Sequence, residues 1–279
     1  MVIYGGLSGT KEQRYFSDLW ILDSATDEWS LPPPLAREST REDWLRRSPI
    51  PRGSHTATIV DNKMYLFGGN GGTGFARRDF NDVQVLDMQS WEWSEVETKG
   101  EVPEPRSSHQ AAYIPGKLVI MGGWNNVRQF DDCYVLDLAT STWSQSATAS
   151  GENWGPPRWN HTAVSVFSVP NWKAFVFGGN SGDLIESGNP QGTYLNDVCV
   201  LDSGSNRWIR PETIGDVPSP RADTQMAFDE TSGTLVIFGG WCNRWYNDVC
   251  TCKVTDVVGP PYNIDTISPE IGPITGGTH

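Results

Sequence analysis

A pair of glycines that follows a short apolar run recurs five times along the chain, at intervals of 54 to 63 residues. The five pairs are Gly5-Gly6, Gly68-Gly69, Gly122-Gly123, Gly178-Gly179 and Gly239-Gly240. A period of this length predicts a repeat architecture, in which each unit buries its faces only by stacking on its neighbours.

Three further motifs recur with each glycine pair. A strand-like segment follows each pair, at Ser17–Asp23, Asn81–Asp87, Asp131–Asp137, Asn196–Asp202 and Asn247–Val249. In four units a tryptophan comes six residues after the last Asp of that segment: Trp29, Trp93, Trp143 and Trp208. Four glycine pairs are preceded by an Arg-x-x-His motif or its variant, at Arg52–His55, Arg106–His109, Arg158–His161 and Arg221–Thr224. Each unit therefore predicts four short strands separated by turn residues.

The chemistry of these residues indicates what each does in such a unit. Glycines are expected where neighbouring backbones approach closely, since they carry no side chain. The spaced tryptophans are expected to fill the space between units. The short polar pairs, such as Asn81-Asp82, are expected to bond nearby backbone at turns and strand starts.

Together these motifs resemble the Kelch family. The resemblance implies an all-β fold, a Kelch β-propeller of four-stranded antiparallel blades over residues 1–256. The repeats span about 1–35, 52–97, 106–147, 158–211 and 221–256. The first unit lacks the Arg-x-x-His strand, and the last has Thr224 in place of the histidine and no spaced tryptophan. The linkers Gly100–Arg106 and Gly215–Arg221 resemble those of intracellular Kelch proteins of the Rab-effector type.

Five repeats leave two ways to complete a ring. The chain is expected to be part of a six- or seven-bladed propeller in a longer protein, or a small five-bladed ring closed by a strand from the other terminus. The segment Pro260–Thr278 departs from the repeat and resembles the opening strand of an immunoglobulin-like TIG (IPT) domain. Residues 257–279 are therefore expected to be a linker and the first strand of such a domain.

Composition excludes several classes of partner. Asp and Glu outnumber Lys and Arg by 34 to 21, so the net charge of −13 disfavours nucleic acid. No apolar run approaches the ~20 residues that span a membrane, so membrane insertion is not expected. Cys133, Cys199 and Cys250 recur at similar places in the repeat and are interpreted as small strand residues of a cytoplasmic protein.

The loops between the second and third strands, and the links between blades, are long and are expected to share one face of the propeller. Long loops on a rigid scaffold are where binding residues concentrate, and Trp and Arg are enriched at interface hot spots. The hypothesised partner-binding residues are Phe75, Arg77, Arg78, Trp124, Arg128, Trp241, Arg244 and Trp245. The link before the second full repeat adds Trp44, Arg46 and Arg47. The alternative for each aromatic residue is that it folds back onto its own loop.

Catalysis is not expected. His55, His109 and His161 occupy one slot of the repeat, whereas an active site needs different residues converging once. Glu212 and Asp216 meet half of the iron-binding spacing of plant Kelch specifier proteins, but Pro220 replaces the histidine. We expect no catalytic residue, metal or cofactor, and a module that docks another protein. The alternatives are a structural subunit of a large assembly, for example cytoskeletal or ciliary, and a propeller enzyme with a metal site.

Overall fold

The computed structural model describes residues 1–9, 14–72, 76–146, 154–182 and 193–258. These residues form five antiparallel blades and one small sheet, which confirms the all-β propeller architecture. We number the strands of a full blade first to fourth, in chain order.

Blades 1 and 2 are joined by two helices. Blade 1 contains β1 (Val2–Ser8), β2 (Arg14–Asp23) and β3 (Glu28–Ser30), followed by α1 (Pro33–Ala36) and α2 (Glu38–Arg47). The small sheet consists of β4 (Arg52–Gly53), β7 (Asn70–Gly71) and β8 (Arg78–Asp79). Blade 2 contains β5 (Thr56–Val60), β6 (Lys63–Phe67), β9 (Val83–Asp87) and β10 (Glu92–Glu95).

Blades 3 to 5 complete the described chain. Blade 3 contains β12 (Gln110–Ile114), β13 (Lys117–Met121), β14 (Cys133–Asp137) and β15 (Thr142–Gln145), with β11 (Lys99–Gly100) parallel to β15. Blade 4 contains β16 (Thr162–Ser168), β17 (Asn171–Asn180), β18 (Tyr194–Asp202) and β19 (Arg207–Ile209). Blade 5 contains β20 (Gln225–Asp229), β21 (Thr234–Trp241) and β22 (Trp245–Lys253), and the short helix α3 (Thr255–Val258) follows.

Each full blade places its strands in chain order across the sheet. In blade 3, Val119 of the second strand pairs with Ala112 of the first and Val135 of the third. The second strand is covered on both faces by neighbouring blades, so Leu118–Met121 is at most 2% exposed. Strands buried on both faces have continuous apolar runs, which explains the run that precedes each glycine pair.

The glycine pairs of blades 2 to 4 lie where backbones approach closely, as their lack of a side chain predicted, the first glycine against the next blade and the second against its own. Gly68 has a φ of +64°, and a Cβ there would lie 2.8 Å from the carbonyl oxygen of Arg106 in the next blade. At Gly69 a Cβ would lie 2.6 Å from the carbonyl oxygen of Gly53 within the same blade. Side chains at either position would push apart backbones that the propeller brings together.

Three of the four spaced tryptophans fill the space between blades. Trp143 packs against Phe67 of the preceding blade, with ring centroids 5.2 Å apart, and Trp93 packs against Tyr4 at 4.9 Å. Trp208 belongs to the core between blades 3 and 4. Trp29 differs from this prediction, because it lies on the outward face of blade 1 and is 51% exposed.

The outward face of blade 5 is also open, with Phe238 53% and Val249 62% exposed. A ring closed by five blades would cover both end faces. The described residues therefore form an arc of five blades rather than a closed ring.

The link between blades 1 and 2 was expected to be a long loop, and this expectation is wrong. Helix α2 carries Glu38 in its first turn and two i,i+4 ion pairs, which stabilise helices. Its Trp44 is 6% exposed, and the indole N–H donates to the carbonyl of Trp91 at 2.7 Å. The helix is thus fixed over the junction of the two blades.

A belt of backbone hydrogen bonds joins the first strands of successive blades. The N–H of Ser108 donates to the carbonyl of Ser54, that of Asn160 to Ser108, and that of Asp223 to Asn160, at 2.9 to 3.0 Å. All four residues have φ between +51° and +55°, a conformation that Asn, Asp and Ser adopt more readily than bulky residues. The belt holds the inner strands at a fixed spacing.

The repeated histidines are packed against the preceding blade, as their recurrence indicated. The ring of His161 lies 3.1 Å from the position that a Cβ on Gly122 would take, and it packs on Trp154. Burial lowers the pKa of His161 from its usual 6.5 to about 3, and that of His55 to about 4. These side chains are therefore neutral near pH 7.

We predict that His161 makes the stability depend on pH. Because its pKa is depressed in the folded state, its contribution is complete above pH 6.5 and is lost as pH falls towards 3. Between pH 7 and pH 5 the free energy of unfolding should fall by about 2 kcal/mol through this residue. Thr224 occupies the equivalent position in blade 5, so His161→Thr is the substitution that tests this. Urea denaturation of this variant should show a fall in unfolding free energy between pH 7 and pH 5 that is smaller by the same amount. An unchanged pH dependence would contradict the assignment.

Candidate docking face

The loops between second and third strands lie beside the ends of the interblade links. In each of blades 2 to 5 the residue after the Arg of the Arg-x-x-His motif pairs with the residue after the glycine pair. These antiparallel pairs are Gly53 with Asn70, Ser107 with Trp124, Trp159 with Asn180, and Ala222 with Trp241. We call the surface formed by these loops and links the loop face.

A buried arginine anchors the loop face in each of these four blades. Arg52, Arg106, Arg158 and Arg221 are at most 2% exposed. Each guanidinium makes two hydrogen bonds to one carboxylate, that of the second residue in the Asn-Asp motif. In blade 2 the distances from Arg52 to Asp82 are 2.7 and 2.8 Å. The other pairs are Arg106 with Asp132, Arg158 with Asp197, and Arg221 with Asp248.

The same guanidinium also donates to the first glycine of the pair. Arg52 reaches the carbonyl of Gly68 at 3.0 Å, and the other three bonds measure 3.0 to 3.1 Å. One side chain thus ties the start of the first strand to the end of the second and to the third. This differs from the prediction that the aspartates bond nearby backbone, because a buried guanidinium needs a charged partner.

The pKa values of two of these aspartates, Asp82 and Asp197, agree with that pairing. Bonding to Arg52 holds the pKa of Asp82 below its usual value despite the opposing effect of burial, and Arg158 does the same for Asp197. These two carboxylates are therefore ionised at neutral pH, and their bidentate geometry is maintained.

An aromatic ring in three blades lies within cation–π distance of two arginines. Phe80 lies 4.2 Å from the guanidinium carbon of buried Arg52 and 5.3 Å from that of exposed Arg78. The equivalent distances are 4.0 and 4.9 Å in blade 3, for Arg106 and Arg128 about Phe130, and in blade 5, for Arg221 and Arg244 about Tyr246. Three of the hypothesised partner-binding residues, Arg78, Arg128 and Arg244, therefore occupy equivalent exposed positions.

Tryptophans lie in pairs beside these stacks. Trp124 stacks on Trp159 with ring centroids 5.6 Å apart and an angle of 27° between the planes. Trp241 packs on Trp245 at 4.8 Å, and Trp245 is 73% exposed. Sequence reasoning missed Trp159, although its place directly after Arg158 puts it on the loop face.

Other predicted residues have different environments. Arg77 is exposed and borders a groove of about 440 Å³ that Ile50 and Arg78 also line. Phe75 lies outside the described residues. Trp44, expected in this face, is a buried residue of α2, and Arg46 and Arg47 pair with Glu42 and Asp43 within that helix. Arg128 forms an exposed ion pair with Glu104.

The described residues contain neither a cluster of metal-binding side chains nor a membrane-spanning helix. Among residues 1–9, 14–72, 76–146, 154–182 and 193–258, no group of three or more His, Cys, Asp or Glu side chains could hold a metal ion. Within the same ranges no helix combines the length and apolar character needed to cross a bilayer. All five cysteines are free thiols, with Cys133 and Cys199 buried.

We predict that removing one charge of the buried pair destabilises the blade strongly. Asp132→Asn leaves the guanidinium of Arg106 buried without a counter-charge, which should cost about 3–5 kcal/mol of unfolding free energy. Glu104→Gln is the matched control, because the Arg128–Glu104 pair is more than half exposed and such pairs contribute at most about 1 kcal/mol. Urea denaturation would compare both variants with the parent chain. Equal effects would contradict the structural role of the buried pair.

Comparison with known proteins places this geometry in a family. The family model for the KLHDC2/KLHL20/DRC7 Kelch-repeats domain matches residues 1–179 and 152–258. The dynein alpha chain of the flagellar outer arm from Chlamydomonas reinhardtii is 32% identical over 296 residues, covering all of this chain and 6% of that protein.

Two further relatives match most of the chain. Acyl-CoA-binding domain-containing protein 4 from Arabidopsis thaliana is 32% identical over 212 residues, covering 74% of this chain and 29% of the relative. Kelch domain-containing protein 3 from Bos taurus is 26% identical over 239 residues, covering 83% of this chain and 59% of the relative. The chain spans less than two thirds of each of these three relatives. Its repeats, blades and family match together identify it as a member of the Kelch-repeat family of β-propeller domains.

Proposed function

We propose that this chain is a non-catalytic protein-interaction module that docks a partner protein on the loop face. The observation that carries the proposal is the repeated stack in blades 2, 3 and 5, in which an exposed arginine rests on a ring anchored by a buried arginine. Side chains held in place before binding lose less conformational entropy when a partner docks.

The chemistry of the loop face favours an acidic partner segment with apolar side chains. The exposed guanidinium groups of Arg78, Arg128 and Arg244 can each donate to a carboxylate while stacked on their rings. The tryptophan pair Trp241–Trp245 adds a largely exposed aromatic surface, of the kind that forms interface hot spots. The Glu104 carboxylate that pairs with Arg128 would be exchanged for one from the partner.

We propose no catalytic role, because the histidines and the two buried cysteines lie in environments that suit packing. His55, His109 and His161 are neutral at pH 7 and packed against glycine pairs, so their environment supports a structural role. The cysteine thiols Cys133 and Cys199 have raised pKa values through burial, about 12 and about 11, which disfavours a nucleophilic thiolate.

A second candidate is a structural subunit of a motor or cytoskeletal assembly. The match of the whole chain to a flagellar outer-arm dynein alpha chain favours it, and it would place the protein in the cytoplasm or the cilium. In this account the propeller acts as a spacer, together with a TIG-type domain whose linker and first strand we continue to propose for residues 257–279, of which 259–279 lie outside the described residues.

We predict that loop-face substitutions abolish partner capture. The bait would be the full chain, compared with a variant carrying Trp124→Ala, Arg128→Glu, Trp241→Ala and Arg244→Glu, in a lysate of ciliated cells. Proteins bound specifically should decrease at least tenfold on the variant, as measured by quantitative mass spectrometry. Capture by the parent chain should also weaken with rising salt, because exposed charge pairs are screened.

The matched control changes exposed residues at the opposite ends of the blades. It carries Lys117→Glu, Phe167→Ala and Arg207→Glu, and circular dichroism would verify that both variants fold. Loss of capture on the loop-face variant alone supports docking there. Capture that persists on the folded loop-face variant would contradict the docking proposal and favour the spacer.

A further inference from the structure

Blades 3 and 5 carry different side chains at the position two residues before the buried arginine. Blade 3 has Glu104 there, whose carboxylate pairs with the exposed guanidinium of Arg128. Blade 5 has Ser219, which is also exposed and is followed by Pro220. Within the described ranges no carboxylate forms an ion pair with Arg244, the counterpart of Arg128 in blade 5. One of two equivalent arginines therefore has an acidic partner in the chain, and the other has none among these residues.

Backbone hydrogen bonds hold the two positions in the same way. The carbonyl at each position accepts from Nε of the buried arginine, and the bonds are Arg106 to Glu104 at 3.1 Å and Arg221 to Ser219 at 2.9 Å. The residue before it is a proline in both blades, and its carbonyl accepts from an asparagine amide of the preceding blade. These bonds are Asn81 to Pro103 at 3.0 Å and Asn196 to Pro218 at 3.1 Å. The two side chains therefore start from equivalent points.

The two exposed arginines are also placed alike. The guanidinium carbon of Arg128 lies 4.9 Å from the ring centre of Phe130, and that of Arg244 lies 4.9 Å from the ring centre of Tyr246. In both blades the buried guanidinium carbon lies 4.0 Å from the same ring centre. An acidic group at Ser219 would therefore reach Arg244 as Glu104 reaches Arg128.

Phosphoserine is the acidic group that this position can acquire. Its terminal oxygens are separated from Cα by the same number of covalent bonds as the carboxylate oxygens of glutamate, so its reach is similar. It carries about −1.5 to −2 charges at pH 7 and accepts charge-assisted hydrogen bonds from arginine. Glu104 shows that the position accommodates a negative side chain beside the buried pair of Arg106 and Asp132.

Ser219 is the more accessible of the two serines that precede a proline in the described part of the chain. It lies in the link between blades 4 and 5, where residues 210–220 form no helix or strand. The other, Ser48, is partly buried at the end of α2, and its hydroxyl donates to the carbonyl of Leu45 at 2.8 Å. A kinase binds several residues around the hydroxyl, which favours an exposed link over the end of a helix.

We propose that Ser219 is a phosphorylation site for a proline-directed protein kinase, and that the phosphate pairs with Arg244 as Glu104 pairs with Arg128. The kinase would transfer the γ-phosphoryl group of ATP to Oγ of Ser219. The bond from this phosphorus to ADP breaks, the Oγ–P bond forms, and the hydroxyl proton passes to the catalytic aspartate of the kinase.

This modification would regulate docking, a consequence that rests on the proposed function of the loop face. The phosphate would occupy the guanidinium of Arg244 and add negative charge beside the Trp241–Trp245 pair of blade 5. An acidic partner segment would then meet like charge at this blade, which opposes its approach.

The first test asks whether the folded chain is a substrate. The full 279-residue chain would be incubated with ATP and proline-directed kinases of the cyclin-dependent and mitogen-activated classes, and phosphopeptides quantified by mass spectrometry. Ser219 should be modified at least about tenfold faster than Ser48, because Ser48 must first leave its helix. No phosphate on Ser219 with any of these kinases, or equal rates at the two serines, would overturn the modification site.

The second test detects the ion pair and needs no kinase. Phosphoserine would be placed at position 219 during translation, and its titration followed by phosphorus NMR. Pairing with Arg244 stabilises the dianion, so the second pKa of the phosphate should fall by at least half a pH unit from its usual value of about 6. Arg244→Gln should restore the usual value, whereas Arg128→Gln, the matched change in blade 3, should not. A pKa that does not depend on Arg244 would overturn the pair.

The capture experiment separates this inference from the proposed function. Capture should decrease at least about threefold when Ser219 is phosphorylated and in Ser219→Glu, but not in the uncharged Ser219→Gln. Unchanged capture by a chain whose phosphate pairs with Arg244 would overturn the regulatory role and leave docking intact. If the unmodified chain captures no specific partner, docking itself is contradicted, and the first two tests still decide the Ser219 site.

Discussion

The buried arginine of each Arg-x-x-His motif is the interaction on which the blade depends. Its guanidinium binds an aspartate from the third strand and a carbonyl from the second, while its own backbone begins the first strand. A buried charge pair gives little net stability compared with apolar packing, but removing one partner is expensive. The pair therefore fixes geometry more than it adds stability. All the guanidinium bonds can form only when the three strands are aligned in a single register.

The same requirement links the core of the propeller to its binding surface. The ring that lies 4.0 to 4.2 Å from the buried guanidinium carbon in blades 2, 3 and 5 also lies 4.9 to 5.3 Å from that of an exposed arginine. Each loop that carries an exposed arginine begins at the glycine pair and ends at the aspartate, and the buried arginine binds both of these places. Function on this face thus follows from the packing of the blade, and the loops can differ in length and sequence without losing their anchor.

Much of this architecture could be predicted from the repeat, because the glycine pairs, tryptophans and histidines recur at positions that backbone contact and packing constrain. The partnership of Arg106 with Asp132 was missed, although both residue types recur together, because a turn role also explains an aspartate at a strand start. Helix α2 and Trp159 each occur once and carry no periodic signal. The burial of Trp44 and the exposure of Trp29 depend on which neighbour covers each side chain, which the local sequence does not contain.

The measurement that tests this account most directly is hydrogen–deuterium exchange on Arg106→Lys, which keeps the charge but loses the two-pronged geometry. The amides of Trp124 and Phe130 are bonded within the loop of blade 3, to Ser107 and Gly123. The account predicts that these amides exchange at least tenfold faster in the variant, while those of β13 keep their protection. Unchanged exchange in the loop, or an equal increase throughout blade 3, would contradict the claim that the buried arginine holds the loop face in place.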